Sequence, residues 1–61
     1  MSTTQAIMDA VAAFEKEDAK FVAGNASAGT RARKALGDLG KLAKARRAEI
    51  TTEKNARKEA K

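Results

Sequence analysis

The chain has no cysteine, histidine, proline, tryptophan or tyrosine among its 61 residues. Without cysteine there can be no disulfide, and without cysteine or histidine a zinc centre is not expected. The same two absences remove the commonest nucleophile and general base. No glycine-rich loop carries the lysine and hydroxyl that cradle a phosphate. Glu15, Glu17 and Asp18 cluster, but as carboxylates on an exposed helix they read as solvated groups. An enzyme is therefore not expected, nor is any cofactor or metal. Aromatics are limited to Phe14 and Phe21, too few to form a stacking platform for single strands. No apolar run approaches the ~18 residues of a transmembrane helix. The opening MSTTQAIMDA has neither a basic region nor a continuous apolar block, so no secretory signal is expected. A membrane-surface helix is also disfavoured, because the apolar positions are alanine-rich and lack aromatic anchors.

What the chain has in quantity is alanine and basic charge. Fifteen alanines supply most of its hydrophobic residues. Alanine favours helix but buries little area. A chain this short is near the lower limit for a self-sufficient core, and the usual covalent and metal staples are absent. Self-association is the remaining staple, so a homodimer or higher oligomer is expected. The net charge is +5, unevenly spread. Residues 1–24 carry −2, whereas residues 25–61 hold eleven basic and four acidic residues, a balance of +7. That asymmetry points the second segment toward a polyanion.

The periodicity is helical throughout. Ser2, Thr3 and Thr4 are candidate N-caps. After them Ile7, Val11, Phe14, Phe21 and Val22 recur at helical spacing, which predicts a helix over about 4–23. Asp18 interrupts this face, either pointing outward at its edge or pairing with an arginine across an interface. Gly24-Asn25 reads as a helix stop followed by a cap, with Ser27 as a competing cap. The second helix is expected over about 26–54. The short link makes the two helices antiparallel. The fold class is thus all-α: a two-helix antiparallel hairpin, expected to dimerise into a four-helix bundle-like assembly. Residues 1–54 form the hairpin domain, and 55–61 are expected to be a basic, partly disordered C-terminal end.

At about 100° per residue, Ala32, Leu36, Leu39, Ala43 and Ile50 fall on one side of the second helix, widened by Ala28, Ala35 and Leu42. The expected oligomer interface is Ile7, Val11, Phe14, Phe21, Leu36, Leu39, Leu42 and Ile50. Arg46 falls at the seam, where it snorkels or meets Asp18 or Glu17 of a partner helix. Gly37 and Gly40 read as close-approach sites or as neutral glycines. Arg33, Lys34, Lys41, Lys44 and Arg47 gather on the opposite side. A solvated helix face is the ordinary explanation of surface charge, but here the charge is of one sign and the acids lie mostly on the other helix. Basic side chains along a helix can neutralise phosphates without base-edge geometry. The candidate DNA-binding residues are Arg31, Arg33, Lys34, Lys41, Lys44, Arg47, Lys54 and Lys58. No homeodomain, zinc-finger or basic-zipper pattern is present, so duplex binding through the backbone is expected rather than sequence readout. The alternative is a structural coiled-coil or oligomerisation module that binds an acidic protein partner.

The second segment resembles the N-terminal helical domain of the chlamydial-type linker-histone-like nucleoid proteins. The resemblance lies in Gly24-Asn25 opening the helix, then Arg31-x-Arg33, Leu39-x-Lys41-Leu42-Ala43-Lys44 and Arg47-x-Glu49, ungapped over about residues 24–54. It implies a cytoplasmic, nucleoid-associated protein of chromatin organisation that binds DNA with little sequence preference. The basic residues it carries over are Arg31, Arg33, Lys41, Lys44 and Arg47. Family members continue into a long lysine- and alanine-rich tail, whereas this sequence stops at NARKEAK. DNA binding rather than strong condensation is therefore the expectation.

Overall fold

A computed structural model describes the backbone of residues 2–59 and the side chains of residues 2–58. Helix α1 spans Thr3–Val22 and helix α2 spans Ala26–Glu59. Ser2 caps α1, its hydroxyl accepting the Gln5 amide at 3.1 Å. At the other end the Gly24 amide donates to the Phe21 carbonyl at 2.9 Å and the Asn25 amide to the Lys20 carbonyl at 3.0 Å. This paired closure requires a left-handed residue, and Gly24 supplies it at φ 112°. Asn25 then caps α2, its Oδ1 accepting the Ala28 amide at 3.2 Å, a bond of a kind that contributes about 1 kcal/mol. Of the competing caps, Ser2 and Asn25 are the ones used.

The two helices fold back on each other as an antiparallel hairpin. From Ala28 the α2 positions that meet α1 advance by four and three residues through Ala32, Ala35, Leu39, Leu42 and Arg46, and all of them are buried or half-buried. The 3.5-residue repeat keeps one stripe against the partner helix at a shallow crossing. Alanines occupy the turn end and allow close approach there. Phe21 lies across Gly29, where an added Cβ would come within 2.6 Å of the ring. Further from the turn the seam takes Leu39 and Leu42 against the α1 stripe that holds Ile7, Val11 and Phe14, all half-buried.

Helix α2 runs to Glu59, five residues past its expected end near 54. Nothing after Gly40 breaks it, since no glycine or proline follows. Glu53 and Arg57 pair one turn apart at 3.2 Å, and Arg57 and Lys58 in the last turn complement the helix dipole. Ala60 and Lys61, the last of the expected disordered end, lie outside the described residues. Among those described, no helix is long and apolar enough to cross a membrane.

Candidate nucleic-acid interface

The side of α2 turned away from α1 carries exposed cations along most of its length. Arg33, Lys34, Lys41, Lys44, Arg47, Lys54 and Lys58 are all exposed. At about 100° per residue they occupy an arc of roughly 160°. Asp38, Glu49 and Glu53 project outside this arc, toward the α1 side. None of the seven cations is paired with a carboxylate among the described residues. Gly37 and Gly40 lie on the same arc, and an added Cβ at either would meet nothing within 4 Å.

Other cations are engaged within the hairpin. Arg31, expected to contact DNA, donates from Nε to Glu17 at 2.8 Å, tying α2 to α1 near the turn. Lys20 also approaches Glu17, at 4.0 Å. Arg46 sits at the seam as its spacing predicts, but its partner is Glu49 of its own helix at 2.9 Å. Glu49 also accepts from the Thr3 hydroxyl, which pins the start of α1 to α2. Both carboxyls are held below the usual range. For Glu17 the main cause is the Arg31 hydrogen bond, and for Glu49 it is the Thr3 hydroxyl followed by Arg46.

The two broad sides of the hairpin differ in chemistry. One carries shallow grooves lined by Asp9, Glu17, Arg31, Lys34, Asp38 and Lys41 among alanines. Helical phase turns the other flanks of both helices to the opposite side, with Met8, Val11 and Val22 from α1 and Leu36, Ala43 and Ile50 from α2. Of the expected interface residues, Ile7, Val11, Phe14, Leu39 and Leu42 are half-buried at or beside the seam, whereas Phe21, Leu36 and Ile50 are 52%, 47% and 45% exposed. Met8, left out of that expectation, is 59% exposed. Its three-residue spacing from Val11 was the available signal. Asp18 is half-buried and has no ion-pair partner among the described residues.

The structure is an alanine-seamed helical hairpin whose outer face is rich in exposed cations, a small basic all-α protein. The chain belongs to the histone H1-like protein Hc1 family, whose model matches residues 1–56. The match extends through α1, well beyond the segment whose motifs carry the resemblance. This family is one of structural, DNA-binding nucleoid proteins, and the chain is a DNA-binding nucleoid protein in that general sense. No curated protein and no solved structure matches the chain.

Proposed function

We propose that this protein binds duplex DNA with little sequence preference, through phosphate contacts made by the outer face of α2. The observation that carries the reading is the basic arc: Arg33, Lys34, Lys41, Lys44, Arg47, Lys54 and Lys58 are exposed, have no carboxylate partner among the described residues, and are set apart from Asp38, Glu49 and Glu53 of their own helix. Arg31, whose Nε is held by Glu17, lies outside this arc. A straight helix cannot follow a phosphate strand for its whole length, so a subset of these residues engages at one time. Location at the nucleoid in the cytoplasm follows from this role.

The binding unit is a homodimer. Among the described residues the buried core consists of Ala28, Ala32 and Ala35, and no large side chain is fully buried. That is far less apolar burial than a stable domain of this length needs. A second copy placed on the side bearing Met8, Leu36 and Ile50 covers the missing area and gives Asp18 access to a partner arginine. It also leaves Arg33, Lys34, Lys41 and Lys44 of both copies outward.

Mobility-shift titrations on unrelated duplexes at several salt concentrations test the reading. Log affinity should fall linearly with log salt, with a slope near 0.9 per phosphate neutralised. Replacing Lys41, Lys44 and Arg47 together by glutamine should reduce the slope by up to about 3 and weaken binding equally on all sequences, with helicity unchanged. Undiminished binding by the triple variant would exclude this face. No binding by the parent at low salt, together with capture of an acidic protein, would favour a structural oligomerisation module instead.

A further inference from the structure

We propose that the C-terminal end of α2 is a single-helix arm that enters the major groove of duplex DNA while the hairpin body remains outside on the phosphates. The proposal rests on the DNA-binding reading above and assigns a groove to it. Helix α1 begins opposite Glu49, where the Thr3 hydroxyl meets that carboxylate. From Ile50 to Glu59 the helix therefore continues with no neighbour among the described residues, a projection of about 15 Å at ~1.5 Å per residue. The overall shape agrees, with Cα extents of 55 × 16 × 14 Å.

Width decides which part can enter. A helix with its side chains is about 10–12 Å across, and the major groove of B-form DNA is about 12 Å wide. Two helices side by side add a further 8–10 Å of interaxial distance and do not fit. The minor groove, at about 6 Å, admits neither. Composition keeps the arm slender. Ala48, Thr51, Thr52, Asn55 and Ala56 separate its cations, and no large apolar residue follows Ile50. Thr51 folds its hydroxyl onto the Arg47 carbonyl at 3.0 Å, close to the helix axis. Thr51, Lys54 and Lys58 share the arm's outer face, in line with Arg47 of the body. Glu49 and Glu53 lie on the other side and are held by Arg46 and Arg57. The arm thus offers Lys54 and Lys58 to a groove on the face turned away from Glu49 and Glu53.

The geometry also distinguishes nucleic acids. The major groove of A-form RNA is deep and too narrow for side chains to read, so an arm of this width has a place on DNA and none on an RNA duplex. The test uses the full chain, a DNA duplex of about twenty base pairs (roughly two helical turns) and the RNA duplex of the same sequence. Methylation of guanine N7 by dimethyl sulfate reports occupancy of the major groove. Asn55→Pro removes an amide and clashes with the preceding turn, breaking the arm without changing its charge; contacts with α1 end before it, so the hairpin remains. Asn55→Ala keeps the helix. The parent and Asn55→Ala should protect guanine N7 and prefer DNA to RNA. Asn55→Pro should lose the protection and bind DNA roughly tenfold more weakly, the effect of losing a few phosphate contacts, while its RNA affinity stays at the parent level. Equal DNA affinity and unprotected N7 in the parent and Asn55→Pro would overturn the arm while leaving phosphate binding intact. Failure of the parent to bind any duplex would instead overturn the underlying DNA-binding reading and the arm with it.

Discussion

At the residue scale, the glycines of α2 separate into two kinds. Gly29 is required by its neighbour, because a methyl there would sit 2.6 Å from Cδ1 and 2.8 Å from Cε1 of Phe21. A ring cannot fold away as a lysine tip can, so Gly29→Ala must part the helices at the turn. We expect it to cost about 1–3 kcal/mol, the range for overpacking, read as a lowered thermal midpoint. Gly37 and Gly40 face open space, and Gly37→Ala and Gly40→Ala should each raise stability by about 0.5–1 kcal/mol through helix propensity. A stabilising Gly29→Ala would show that Phe21 is not held against α2. Glu17 and Glu49 make the second residue-scale prediction. Both carboxyls have folded-state pKa values depressed by their partners. Their contribution is therefore present above the unfolded value of about 4.3 and is lost as pH falls through the lower folded values. Helix pairing should loosen in acid below that point, and Glu17→Gln should blunt the change when thermal midpoints are compared between pH 6 and pH 3.

At the scale of the elements, α2 is far longer than the α1 that covers it, and the excess has a use only outside the hairpin. Deleting residues 55–61 removes Arg57, Lys58 and Lys61 but, among the described residues, no hydrogen bond or ion pair to α1. The thermal midpoint should change little while DNA affinity falls; a truncated chain that lost its helicity would make this end part of the fold. The two elements were readable in the sequence because the break between them is marked. Gly24 supplies the left-handed closure, Asn25 the next cap, and the four-three spacing from Ala28 to Arg46 the seam. The end of α2 was not readable from the apolar pattern, which stops at Ile50. Helix persists to Glu59 on propensity, the Glu53–Arg57 pair and the absence of any breaker, signals that carry no periodicity. The basic arc was legible as a list of residues, since phase alone brings them together. The engagement of Arg31 was not, because it depends on where Glu17 of the other helix arrives once the turn is set. The same limit applies to Arg46. Its seam position follows from spacing, but its choice of Glu49 over an acid of α1 is decided by rotamer and reach.

For the whole molecule, the question is what replaces the core that a single hairpin lacks. Leu39 and Leu36 separate the two levels of packing. Leu39 is half-buried at the seam between α1 and α2, whereas Leu36 and Ile50 are nearly half exposed on the broad apolar side. A charge at Leu39 enters the hairpin itself and should unfold it, because an unpaired carboxylate there is costly to bury. A charge at Leu36 or Ile50 can still reach water in an isolated hairpin. If a second copy covers that side, Leu36→Asp and Ile50→Asp should lower the sedimentation mass from dimer to monomer at micromolar concentration. The parent's thermal midpoint should rise with protein concentration, as it must when folding and association are linked. In the two variants that dependence should vanish and the midpoint should fall. DNA affinity should fall as well, since paired basic arcs act at a shared effective concentration and single ones do not. A parent that sediments as a stable, fully helical monomer with a concentration-independent midpoint would sink the dimer. The alanine seam would then be sufficient by itself, and the exposed Met8, Leu36 and Ile50 would need another occupant.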